Sequence, residues 1–189
     1  LWPVYADILG HPGDLRRFKD AQYMGLVRNL QRVGWLVPYL FGASPAVCKS
    51  FLGDKQTSLQ EFDANTYFEP YATSLRLGDI GYQNKREEGL GIKACYDSVG
   101  AYALSLNRAI QTVAPAWEKL GVQVDGEFRQ LNANILQIEN EYYSSVRPKP
   151  ILRGMEMPNQ ALKNRGVAYV ELRSLDVNAY HALGVDADQ

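Results

Sequence analysis

The chain has 189 residues, with 20 Lys and Arg against 21 Asp and Glu, and a formal net charge of −1; 46% of residues are hydrophobic and 22% charged. These are ordinary values for a globular protein and exclude a disordered, collagen-like or disulfide-packed chain. The balanced charge without a basic cluster argues against binding to nucleic acid by counterion release.

The longest apolar run, residues 35–43, is interrupted by Pro38. It falls far short of the roughly 20 residues a membrane-spanning helix needs. No basic segment followed by an apolar stretch opens the chain, so a soluble, cytoplasmic protein with no membrane partner is expected. The length suits one domain, but Leu1 and the closing Ala187-Asp188-Gln189 point to a piece of something larger. The expectation is a single partial domain over residues 1–189, lacking both flanks.

In chain order, Asp14 after Pro12-Gly13 is a candidate N-cap. Leu26, Leu30, Val33, Val37 and Leu40 then recur at helical spacing, predicting one apolar face of a long helix that Pro38 kinks or ends. Residues 42–60 read as loop, short helix and loop. Residues 66–82 have no clean period and read as irregular backbone. Gly89 and Gly91 mark a further break, without the rest of any phosphate-loop fingerprint. Asp97 is expected to open a second helix with Val99, Ala103, Leu106 and Ile110 on one face. From 129 to 143 the alternation has period two with a change of parity after Ile135, predicting a strand with a β-bulge. That strand would put Glu139, Glu141 and Tyr143 on one face. Arg147-Pro148-Lys149-Pro150 reads as a basic turn, and residues 167–173 as a strand. Helices and separate strands without βαβ alternation indicate an α+β fold with an antiparallel sheet.

Glu171 and Arg173, two residues apart on a strand, would project from one face at roughly 7 Å. A carboxylate beside a guanidinium suits a site where magnesium and phosphate sit together. A solvated ion pair is the plainer alternative. Arg76, a few residues ahead of Tyr82, has the chemistry to hold an α-carboxylate through a bidentate contact; a surface arginine is again the alternative. Glu139 and Glu141 could be an acid/base pair or metal ligands; an exposed polar face is the plainer alternative. His11 and His181 lack metal-ligand spacing. Cys48 and Cys95 are expected to be free thiols. Twelve tyrosines against 6 Phe and 3 Trp suit a wet, half-buried pocket, or simply strand surfaces.

Four strings carry a resemblance: RVGWLVPYLFGASPAVCKSFL at 32–52, YFEPYATSLRLGDIGYQNK at 67–85, LNANILQIENEYYSSVRPK at 131–149 and GVAYVELRSLDVNAY at 166–180. In order and spacing the chain resembles the proteobacterial type of glutamate–cysteine ligase. The resemblance implies part of a glutamine-synthetase-like ligase fold and ATP-dependent joining of the γ-carboxylate of L-glutamate to the amine of L-cysteine through a γ-glutamyl phosphate. It also implies Mg2+ and ATP as requirements and a monomeric parent enzyme. By motif, Glu171 resembles a magnesium ligand. Arg173 resembles the guanidinium on the transferring phosphate, Arg76 the substrate-carboxylate arginine, and Tyr82 and Tyr143 tyrosines of the cysteine pocket. The acidic ligands and the His-Tyr-Asn-Phe-Ser stretch of longer family chains are not among these residues, so the 189 residues alone are expected not to turn over. A non-catalytic amino-acid-binding or structural domain, or a ligase with another acceptor amine, are the competing readings.

Overall fold

The structure is a computed structural model that describes residues 2–9, 14–78, 80–81 and 93–185. Helices α1 to α7 span Trp2–Leu9, Leu15–Val33, Leu36–Phe41, Lys49–Leu52, Val99–Gln111, Pro115–Leu120 and Pro158–Arg165. Strands β1 to β7 span Ala46–Cys48, Gln60–Asp63, Thr66–Phe68, Gln123–Val124, Glu127–Phe128, Val146–Lys149 and Tyr169–Leu172. They form one three-stranded sheet in the order β1-β3-β2 and two pairs, β4-β5 and β6-β7. The pairings of β1 to β5 are antiparallel, and the α+β class read from the sequence holds.

Two compact units divide the chain. One comprises Leu1–Asn29, Asn84–Tyr143 and Arg147–Glu171; the other comprises Leu30–Gln83, Ser144–Val146 and Leu172–Gln189.

The first unit is built on a core of Met24, Ala94, Val99, Tyr102, Leu106, Tyr142, Leu162 and Val167. Asp14 caps α2 as predicted, its Oδ1 accepting from the Arg16 amide at 2.8 Å. The apolar face of α2 differs from the expected one: Met24 and Val27 are buried, whereas Leu26 is exposed. Leu30 of the expected row is half-buried, and the regular helix ends at Val33 instead of continuing to Leu40. Helix α5 carries the expected face, but Ser98 rather than Asp97 is its N-cap, accepting from the Ala101 amide at 3.1 Å. Arg16 clamps the end of α7, its guanidinium donating to the Asn164 and Lys163 carbonyls at 2.7 and 2.6 Å. Gly166 follows with φ +77°, and a Cβ there would lie 2.3 Å from Asp20 Oδ1. Only glycine lets Asp20 reach the Val167 amide at 2.7 Å and aim the chain into β7.

Residues 129–138 are not a strand. Asn132 Oδ1 accepts from the Asn134 amide, Gln137 Oε1 from the Leu131 amide, and Glu141 Oε2 from the Gln137 amide. These local side-chain bonds take the backbone groups a ladder would use. A 3₁₀ turn at Glu139–Glu141 follows, so Glu139, Glu141 and Tyr143 do not share a strand face. The segment read as a basic turn is the buried strand β6, in which Arg147 is 6% exposed.

In the second unit the regular helix breaks at Gly34-Trp35, ahead of Pro38, which occupies the first turn of α3, where its missing N–H is harmless. The Thr66–Phe68 stretch, expected to be irregular, is the central strand β3; Ala46 to Cys48 pair with its one side and Gln60 to Asp63 with the other. Gly89 and Gly91 lie outside the described residues. Among the described residues, no helix is long and apolar enough to cross a membrane.

Candidate active site

Two of the predicted site residues meet in the second unit. Arg76 lies in the irregular loop after β3, and Arg173 just beyond β7. The Arg76 Nε–H donates to the Arg173 carbonyl at 2.7 Å, and both side chains are half-buried. The loop is fixed from beneath. Ser44 pairs with Ser74 as an isolated bridge, and the Leu75 amide donates to the Ser44 carbonyl at 2.8 Å. Buried Asp176 organises this contact, its Oδ2 accepting from Ser44 Oγ at 2.6 Å and from the Ala43 amide at 3.0 Å. Burial by itself pushes the Asp176 carboxyl up. The hydrogen bonds from Ser44, Ala43 and Ser74, with the Arg76 charge, outweigh it and hold the group below the usual Asp range. Downstream of Arg76 the chain doubles back so tightly that a Cβ on Gly81 would lie 1.9 Å from the Arg76 carbonyl oxygen. Glycine at 81 is therefore a requirement of the Arg76 loop. Tyr82 lies outside the described residues.

Glu171 belongs to the first unit. Its carboxylate is paired with Lys149 of β6, Nζ to Oε2 at 3.5 Å, and its side chain remains 40% exposed. An oxygen donor that is reachable, and held by a cation rather than by backbone amides, can exchange that cation for a metal. Among the described residues no group of three or more His, Cys, Asp or Glu side chains converges. A single reachable carboxylate such as Glu171 is compatible with a magnesium ion, which is commonly held by one or two carboxylates together with phosphates. Arg147, on the same strand as Lys149, donates to the Asn140 carbonyl at 3.2 Å. Burial pushes the Tyr102 phenol far above its usual range; neighbouring Tyr96, Glu139 and Glu171 add to that and Arg147 opposes it. Tyr143 is partly exposed beside the 3₁₀ turn.

Glu139 is 7% exposed, and its Oε2 accepts from the Asn159 amide at 2.9 Å, capping α7. Its Oε1 is buried with no hydrogen-bond partner among the described residues. Desolvation raises its pKa, against the Asn159 amide and the Lys163 charge. A raised carboxyl adds stability that is full below the unfolded-state pKa and is lost as pH rises through the folded-state value. In the full-length protein, hydrogen-exchange protection of Pro158–Arg165, corrected for intrinsic exchange, should therefore fall with rising pH. In Glu139→Gln it should not; the same fall in both would contradict this assignment.

Sequence reasoning missed Asp176, Lys149 and the buried state of Arg147. Asp176 stands three residues after Arg173, where the alternation of β7 has ended, and the only signal was the low frequency of unpaired buried acids. His181 Nδ1 accepts from the Leu183 amide, which gives it a local role; Cys48 and Cys95 are free thiols, and His11 lies outside the described residues.

Residues 1–189 match the family described as glutamate–cysteine ligase. The chain belongs to the glutamate–cysteine ligase family. The glutamate–cysteine ligase of Pseudomonas paraeruginosa is 49% identical over 189 residues, covering 100% of this chain and 36% of the relative. That of Hahella chejuensis is 45% identical over 188 residues, covering 100% and 35%. The crystal structure of the Francisella tularensis glutamate–cysteine ligase in complex with AMP superposes with a TM-score of 0.79 at 41% identity, over 89% of this chain and 33% of that one. A bifunctional glutathione synthetase from Pasteurella multocida shares the fold, with a TM-score of 0.57 at 24% identity over 93% of this chain and 18% of that one. The chain thus spans about a third of the length of the ligase relatives it matches.

Proposed function

We propose that the full-length protein carrying this chain is an ATP-dependent ligase that joins the γ-carboxylate of L-glutamate to the amine of L-cysteine, and that residues 1–189 form part of its catalytic domain. Family membership over the whole chain carries this reading. A γ-carboxylate oxygen attacks the terminal phosphorus of ATP, the bond to the bridging oxygen breaks, and ADP leaves. The cysteine amine then attacks the acyl carbon; the carbon–oxygen bond breaks, phosphate leaves with the glutamate oxygen, and the amine gives up a proton. The carboxylate needs this activation because it is otherwise a poor acyl donor.

Within this scheme Arg173 neutralises the transferring phosphoryl group, and Arg76 orients glutamate through its α-carboxylate. The carbonyl of one accepts from the guanidinium of the other, which supports coupling of substrate position to phosphoryl position. By its motif Tyr143 is assigned to cysteine binding; Tyr82, outside the described residues, is given the same role by its motif alone. Glu171 would hold magnesium, which when bound neutralises phosphate charge.

The test is assembly of γ-glutamylcysteine by the full-length protein from glutamate, cysteine and Mg-ATP, with ADP released in equal amount. Glu171→Gln should weaken Mn2+ binding about tenfold by electron paramagnetic resonance. Unchanged Mn2+ affinity in that variant would remove Glu171 from the metal site.

A further inference from the structure

Strand β7 carries Glu171, yet little in the strand itself holds its register. It is four residues long and has no fully buried side chain, and among the described residues it pairs with β6 alone. A slip of one residue in such a strand turns every side chain to the other face. Glu171 would then leave Lys149, whose Nζ stands 3.5 Å from its Oε2.

The register is set just ahead of the strand. Val167 is buried in the core of the first unit, and its amide donates to Asp20 Oδ1 on α2 at 2.7 Å. The next amide, that of Ala168, donates to the Lys149 carbonyl at 2.8 Å and opens the pairing with β6. Asp20 is itself pinned. Arg16, one turn earlier, stands 3.7 Å from its Oδ2 and also donates to the Lys163 and Asn164 carbonyls. Helix stability does not explain an acid at this place, because α7 ends at Arg165 and the negative end of its dipole disfavours a carboxylate. What the acid does gain there is a charge-assisted bond to the first residues leading into β7. Gly166 serves the same contact, since Asp20 Oδ1 occupies the space a Cβ would need.

We propose that Asp20 is a positioning residue for the metal carboxylate: by holding the Val167 amide it fixes the β6–β7 register that keeps Glu171 beside Lys149 and reachable by magnesium. The assignment rests on the ligase reading, in which Glu171 holds magnesium, and extends it to a residue of α2 that acts through the backbone.

Mn2+ titrations of the full-length protein, read by electron paramagnetic resonance, test it. Asp20→Ala should weaken Mn2+ binding about tenfold. Asp20→Asn keeps an acceptor oxygen and should stay within about twofold of wild type. Because Asp20 acts through Glu171, adding Asp20→Ala to Glu171→Gln should weaken binding no further. Should Asp20→Ala fail to fold, Asp20→Glu takes its place with the same expectations, since it keeps the charge but carries the acceptor one methylene away from its position at the Val167 amide. Wild-type affinity in Asp20→Ala, an equal loss in Asp20→Asn, or a loss that adds in full to that of Glu171→Gln overturns the role of Asp20 and leaves the ligase reading standing. Wild-type affinity in Glu171→Gln takes that carboxylate out of the metal site, and this inference with it.

Discussion

Replacing Arg173 by lysine in the full-length protein is expected to lower kcat for γ-glutamylcysteine formation by about 10²- to 10³-fold. The planar guanidinium offers parallel donors to two phosphoryl oxygens, whereas an ammonium offers a point charge. The backbone carbonyl of residue 173, which accepts from Arg76, survives the substitution. The KM for glutamate should therefore stay close to wild type. Arg76→Lys should show the opposite pattern, raising that KM chiefly, because it removes the Nε donor that anchors the side chain and the fork that clamps a carboxylate. If both variants changed kcat and KM alike, the division of labour between the two arginines would be wrong.

Asp176→Ala is the second large effect. It removes the buried acceptor of the Ala43 amide and the Ser44 hydroxyl, leaving both donors without it, and should cost about 3 kcal/mol. Ser44 is bonded to the backbone on which Arg76 is mounted, so the KM for glutamate should rise in the same variant. The pH dependence follows from the depressed carboxyl. Its contribution is present above the unfolded-state pKa and is lost as pH falls through the lower folded-state value. Urea unfolding of the full-length protein should give a lower midpoint for Asp176→Ala at neutral pH, with the gap to wild type closing in acid. A gap independent of pH would assign the effect to packing instead.

Legibility in the sequence followed the range of the interactions. Helix α5 and the cap at Asp14 are local matters of spacing and a side-chain oxygen, and both are where periodicity places them. The helix breaks at Gly34 and not at Pro38, because proline, a breaker in a helix interior, is tolerated in a first turn. The 129–138 stretch alternates like a strand, yet Asn132, Asn134, Gln137 and Glu141 turn their side chains onto nearby backbone, a competition that binary patterning does not register. Strand β6 was hidden for the converse reason: Arg-Pro-Lys-Pro has turn composition, and only its pairing with β7 makes it a strand. Among the candidate site residues, Arg76, Glu171 and Arg173 could be singled out by residue type and spacing. Asp176 and Lys149 could not, since their roles come from contacts 132 and 22 residues away along the chain, Ser44 to Asp176 and Lys149 to Glu171.

The proposed activation of the γ-carboxylate by phosphorylation is the step on which the other assignments depend. It is tested most directly by giving the full-length protein L-glutamate labelled with oxygen-18 in the γ-carboxylate, together with cysteine and Mg-ATP, and following the released phosphate by phosphorus NMR. The predicted result is one labelled oxygen in each inorganic phosphate formed alongside γ-glutamylcysteine. Dipeptide accompanied by unlabelled phosphate would contradict an acyl phosphate and, with it, the roles given to Arg76, Glu171 and Arg173.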